Sequence, residues 1–224
     1  MEFDAGLNVV YGASDTGKSF IVDSIDFMLG GKGPLRHFVE REGYDRILLA
    51  IETLDSALAR NAPIYAEIVG FGMSADAHHI TQPAPEGAAA AMRKALADAD
   101  ATVDQVDYIN AHGTGTQAND ATEAAAIHQL FGSRAPHIPI SSTKALHGHS
   151  IGATGALEAL ATILALGHGR LPANAGVTQI DPALNLDVIL HAPRETSADL
   201  ALSNSLAFGG LNAVLAIRSL ADRG

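Results

Sequence analysis

The 224-residue chain has no cysteine. Disulfides, zinc–thiolate centres and a cysteine nucleophile are therefore excluded for these residues. Basic residues are scarce. Fourteen Lys and Arg face twenty-five Asp and Glu, and the net charge of −11 gives no general attraction for nucleic acid. No run of about 18 apolar residues is present to suggest a membrane partner. Met1-Glu2-Phe3-Asp4 lacks the basic start and apolar stretch of a secretory signal, so a cytoplasmic location is expected. There is no low-complexity tract or internal repeat. What remains is 47% hydrophobic and only 17% charged, the composition of an α/β protein with a sizeable core, in one large or two small domains.

Asn110 to Gly155 organises the chain. It reads NAHGTGTQAND and then SSTKALHGHSIGATG, and it carries three candidate catalytic side chains, His112, Lys144 and His149. VDYIN (106–110) is short, β-branched and aromatic, which predicts a buried strand leading to His112. DATEAAAIHQLF (120–131) has helical apolar spacing. The pattern then repeats, with HIPIS (137–141) as a strand, STKALHGHS as a turn and GATGALEALATILALG as a helix. In α/β sheets, strand ends are where polar side chains converge on a ligand. Elsewhere IYAEIVGFG (64–72) reads as a strand, EGAAAAMRKALADAD (86–100) as a packing helix, and DLALSNSLAFGGLNAVLAIRSL as two strands joined by the FGG turn.

The first 50 or so residues follow a different logic. GLNVVY reads as a strand, SFIVDSIDFML as an amphipathic helix, and GASDTGKS between them fits G-x-x-x-x-G-K-[ST] at every position. In such a loop, backbone N–H groups from Gly12 to Gly17 would wrap phosphates. Lys18 would reach the outer phosphates and Ser19 would ligate magnesium, so ATP–Mg is the cofactor this motif implies. The segment resembles the opening of SMC-like and DNA-repair ABC-type ATPases. The acidic strand end those proteins use for hydrolysis is not evident, so binding without turnover is expected.

From about Leu54 to Leu220, the motifs IYAEIVGFGMSADAHH, NAHGTGT, SSTKALHGHSIGATGALE and NSLAFGGLN stand in order and at consistent spacing. Together they resemble the C-terminal half of a β-ketoacyl-ACP synthase of the elongating, KAS II type. The resemblance implies a thiolase-like half, with a mixed five-stranded sheet and helices on both faces. Residues 1–53 would form a P-loop-like βα segment and residues 54–224 the synthase part. It implies that His112 and His149 are the active-site histidines, that Lys144 is the active-site lysine and that Phe208 is a gate beside the acyl pocket. The Phe208 backbone N–H would contribute to an oxyanion hole. Asn110, Glu158, Ser203 and Asn212 match positions of a buried polar or cation-holding cluster. No cofactor is implied for the synthase part, and the partners it implies are acyl carrier protein and a second copy of the chain or a missing first half.

One departure bears on activity. The family's nucleophilic cysteine belongs to the first half of its fold, and this sequence contains no cysteine. Acyl transfer onto these residues is excluded, and a separate first half is an implied partner. IYAEIVGFG is then expected to be the last strand of that first half, without a sheet of its own. The chain reads as a join of two gene fragments near Ile51 to Leu54. The alternatives are an ATP–Mg-binding P-loop fragment and a non-functional fusion, and the residue types also allow a metal site from His112, Asp120, His147 and His149.

Overall fold

The computed structural model describes residues 53–79 and 83–220. The P-loop residues Gly12, Gly17, Lys18 and Ser19 lie outside them, as do residues 1–52 as a whole.

A first short helix, α1 (Leu54–Ala59), starts at Thr53, whose hydroxyl accepts the N–H of Ser56 at 3.3 Å. Strand β1 (Ala66–Ala75) follows, then helix α2 (Pro85–Asp98), with Pro85 and Glu86 suited to a helix start. The next elements are β2 (Val106–Asn110), α3 (Gln117–Phe131), β3 (Pro139–Ser141), the single turn α4 (Lys144–His147) and α5 (Thr154–His168). Short strands β4 (Arg170–Leu171), β5 (Asp187–Val188) and β6 (Arg194–Glu195) precede the long hairpin of β7 (Leu200–Ala207) and β8 (Leu211–Ser219).

The main sheet has six strands in the order β1-β8-β7-β2-β3-β5, and β4 and β6 form a separate pair. β7, β2, β3 and β5 run parallel, β8 is antiparallel to β7, and β1, antiparallel to β8, runs the same way as those four. The expected five-stranded sheet is thus one strand short. IYAEIVGFG does not lack a sheet: as β1 it pairs with β8 from Ala66↔Ser219 to Ala75↔Leu211 and forms the edge. It also runs on through Met73–Ala75, past the end of IYAEIVGFG, because the partner strand continues beside it.

Two layers cover the sheet. On one face, Ala88, Ala91, Met92 and Ala95 of α2 and Ile127 and Phe131 of α3 pack on Ile109, Leu202, Val214 and Ala216. The fit of α2 depends on Gly70 and Gly72. A Cβ there would stand 2.2 Å from the Ala95 carbonyl oxygen and 1.9 Å from that of Ala91. On the other face, Ala159, Ile163 and Leu166 of α5 pack with Tyr108, Ala201 and Ile217. The 18-residue stretch Ile151–His168 has a mean hydropathy of 1.3, enough by length and composition to cross a membrane. Here it is a core helix, with Glu158 and Thr162 fully buried against the sheet.

Candidate active site

The ends of β2 and β3 lie side by side, and the Ala111 N–H donates to the Ser141 carbonyl at 2.8 Å just beyond their last ladder pair. Each end releases the chain into a turn. After β2 the turn is AHGTG, where Gly113 holds a φ of +41°, a conformation that a side chain resists. After β3 it is SSTK, which starts α4 and leads to His149 and α5. The candidate side chains on these turns converge. The His112 and His149 rings meet edge to face, with centroids 5.5 Å apart and planes at 85°.

His112 is buried, and burial drives its imidazole down to a pKa of about 3, helped by the Lys144 and His149 charges. At neutral pH it is therefore uncharged. Its Nδ1 is buried without a hydrogen-bond partner among the described residues. His149 is half-buried, and its Nδ1 shares a 2.9 Å hydrogen bond with the Thr154 hydroxyl, on the first residue of α5. Lys144 is buried and donates through Nζ to Oε1 of Glu158, which reaches it from the middle of α5. Burial pushes the Glu158 carboxyl up to about 7, opposed by the Lys144 charge and hydrogen bond. A buried cation is held by a buried carboxylate, and the pair sits beside the His112 and His149 rings.

Asn110 lies below this pair. Its Nδ2 donates to the Glu158 backbone carbonyl and to the Thr162 hydroxyl, each at 3.1 Å, and Ser203 is its register partner on β7. Asn110 Oδ1 and Glu158 Oε2 are buried acceptors without partners among the described residues. Asn212 does not join them. It lies on the α2 face with Val214 and Ala216, and its Nδ2 donates to the Ser74 hydroxyl and the Gly210 carbonyl, at 3.2 and 3.0 Å. Strand alternation puts it across the sheet from Glu158. The alternative metal cluster is not assembled either. The His147 ring is engaged by the Thr143 hydroxyl and the Gly148 carbonyl, and Asp120 accepts from Gly115 and Asn119. Among the described residues no group of three or more His, Cys, Asp or Glu could hold a metal ion.

Phe208 opens the tight turn between β7 and β8 and is 84% exposed. Asp76 ties this turn to the end of β1. Its N–H donates to the Gly210 carbonyl at 2.9 Å, and its carboxylate accepts from the N–H groups of His78 and Ala84. Those backbone bonds hold its carboxyl below the usual range.

Three participants were not singled out from the sequence. Glu123 is buried on α3. Its two oxygens accept the N–H groups of His112 and Gly113, each at 2.9 Å, and Asn204 Nδ2 donates to it at 3.0 Å. Burial pushes its carboxyl up, and the N–H of Gly113, the Asn204 amide and the N–H of His112 oppose that. All three partners are donors, so the anion is the form they favour. A signal for Glu123 existed: it lies four residues before Ile127, on the apolar stripe of α3, where an acid needs a partner. Asn204 and Ser142 had no such signal, since serine and asparagine are common at strand ends.

The sequence profile of the β-ketoacyl synthase C-terminal domain matches residues 65–178. Nodulation protein E of Rhizobium meliloti is 48% identical over 173 residues, covering 77% of this chain and 43% of that protein. The 3-oxoacyl-[acyl-carrier-protein] synthase 2 of Synechocystis sp. is 45% identical over 183 residues, or 81% of this chain and 44% of that one. Among solved structures, the ishigamide ketosynthase/chain length factor aligns with a TM-score of 0.73 at 43% identity, over 78% of this chain and 43% of the other. A type II polyketide ketosynthase in complex with its acyl-carrier protein aligns with a TM-score of 0.73 at 32% identity, over the same shares. The chain spans less than half the length of the relatives it matches. With fold, paired imidazoles and sequence in agreement, this chain belongs to the β-ketoacyl synthase family, through that family's C-terminal domain.

Proposed function

We propose that residues 54–220 carry the decarboxylating half of a β-ketoacyl synthase site, acting on a malonyl thioester. The observation that carries this reading is the pair of edge-to-face imidazoles beside a buried lysine. In the step, the bond from the malonyl Cα to its carboxylate breaks, carbon dioxide leaves, and the electron pair passes into the thioester as an enolate. Stabilisation requires N–H donors aimed at the enolate oxygen. With the Thr154 hydroxyl donating to Nδ1, His149 carries its proton on Nε2. For His112, an unpartnered lone pair on the buried Nδ1 costs less than an unpartnered N–H, which puts its proton on Nε2 as well. Each ring then has an Nε2–H to donate. Lys144 supports them by keeping His112 uncharged and by adding a fixed positive field to the developing oxyanion.

Condensation needs a second carbonyl to attack, held as an activated acyl group. These 224 residues have no cysteine to hold it, so in this reading the acyl nucleophile is supplied by a separate first half of the synthase. A carrier protein would bring the malonyl group. The neighbouring ketosynthase solved with its acyl-carrier protein supports that partner. The test is release of carbon dioxide from malonyl thioesters by the purified chain and by His112→Ala and His149→Ala. Release that falls about 100-fold or more in both variants is expected. Release unchanged in both ends the reading. No covalent acyl group should form on the chain.

A further inference from the structure

The dipeptide His112–Gly113 is gripped from two sides. Its N–H groups donate to the two oxygens of Glu123. Its carbonyls face a single hydroxyl, Ser142 Oγ, which lies 3.0 Å from the Gly113 oxygen and 3.5 Å from the His112 oxygen. Ser142 belongs to the other turn, and it is itself fixed there. Its N–H donates to Asn174 Oδ1 at 2.9 Å, and Asn174 is anchored in turn to the Ile189 carbonyl. The same Ser142 oxygen accepts the backbone N–H of Lys144 at 3.4 Å. One hydroxyl thus bridges the backbone that carries His112 and the backbone that carries Lys144. The contact is also sterically tight: a Cβ on Gly113 would stand 2.5 Å from Ser142 Cβ. Ser142 is 8% exposed, and its hydroxyl enters no step of the reaction.

We infer that Ser142 is a positioning residue, whose hydroxyl sets the separation of the His112 turn from the Lys144 turn. The inference deepens the decarboxylation reading and rests on it only for the identity of the substrate. Its logic is geometric. The two turns leave adjacent parallel strands, and each carries one part of the site. Beyond the Ala111–Ser141 bond, the Ser142 hydroxyl reaches across to the Gly113 and His112 carbonyls and so ties the two turns directly. Removing the hydroxyl leaves the Gly113 carbonyl and the Lys144 N–H without this partner, and the turns separate or take up water. His112 would feel that first. It is faced by Lys144 and His149, with Glu123 holding its backbone, so wider spacing means more hydration and less cationic repulsion. Both changes make its imidazole easier to protonate.

The experiment is a histidine-resolved NMR titration of the full chain, parent and Ser142→Ala, with malonyl decarboxylation measured alongside. In Ser142→Ala the His112 midpoint should rise by about one unit or more. The decarboxylation kcat should fall about tenfold or more with little change in KM. A lower melting temperature with His112 midpoint and kcat unchanged would make Ser142 a structural hydroxyl and overturn the inference. Should Ser142→Ala not fold, Asn174→Ala removes the acceptor of the Ser142 N–H and is read the same way. A smaller rise supports the role, and no rise overturns it. If the parent does not decarboxylate at all but the His112 midpoint still moves, the proposed function falls and the positioning role stands. A parent His112 that titrates at the ordinary histidine value overturns both.

Discussion

The two faces of the sheet use burial in opposite ways. Beneath α2 and α3 the layer is mostly apolar, with alanines set among larger side chains such as Met92, Ile127 and Phe131. Alanines meet glycines at distances where backbone touches backbone, and Glu123 and Asn204 are polar intrusions under the His112 turn. Beneath the first half of α5 the layer is largely polar: Thr154, Glu158 and Thr162 are buried together with Asn110 and Lys144, and the larger apolar side chains begin at Ile163 and Leu166. The first face gains stability through close packing, at about 25 cal/mol for each Å² of apolar surface removed from water. The second buries charged groups whose desolvation costs several kcal/mol per ion and is recovered only through pairing. The difference teaches where the molecule is free to be stable and where it is held to a task.

The largest break comes from the packing face. Gly72→Val would drive its side chain into the Ala91 carbonyl, and a loss of at least about 3 kcal/mol is expected, read as a collapse of the denaturant midpoint. A folded variant of parental stability would mean that α2 does not lie on β1.

Next is the polar face. Lys144→Met leaves Glu158 buried without its cation, at a cost of about 3–5 kcal/mol near neutral pH. The sign of its pH dependence is fixed by Glu158. A carboxyl raised to about 7 contributes stability at low pH and loses it as pH rises through that value. The Lys144→Met deficit should therefore narrow on acidification, when Glu158 becomes neutral, and melting curves across that range check it.

A smaller effect separates the two groups that titrate in opposite senses. His112 is depressed to about 3, so its contribution is complete above the unfolded histidine value and is lost as pH falls from about 6.5 toward 3. His112→Asn should show a shallower acid limb in stability against pH, with the alkaline limb unchanged. An identical acid limb would mean that the imidazole is hydrated. The smallest expected effect concerns Gly12 to Ser19, which lie outside the described residues. ATP–Mg should bind weakly and without turnover, and Lys18→Ala should abolish that binding in calorimetry while leaving the melting temperature of the synthase part in place. Steady ATP hydrolysis would show a complete nucleotide site.

Much of the site was legible because chemistry concentrates in short words of sequence. HGTGT and SSTKALHGHS name both histidines and the lysine, and the short strand-like runs VDYIN and HIPIS place them at strand ends. Glu158 was legible as well, in the ATGALE motif that follows. Asn212 was read into the same cluster, yet it points to the other face. One residue of strand register decides that, and register depends on the partner strand.

By itself the sequence determined the element types, the hairpin turn at Phe208–Gly210, the absence of a cysteine nucleophile and the identity of the three candidate catalytic side chains. These follow from local periodicity, turn chemistry and residue type, which act over a few positions. Only the tertiary structure decided that β1 closes the sheet as its sixth strand, that Glu123 grips the backbone of His112, and that Ser142 bridges the two turns. Each of these depends on groups far apart in the chain and close in space, where a hydrogen bond needs its partner within about 3 Å, and no local pattern records which distant partner that is.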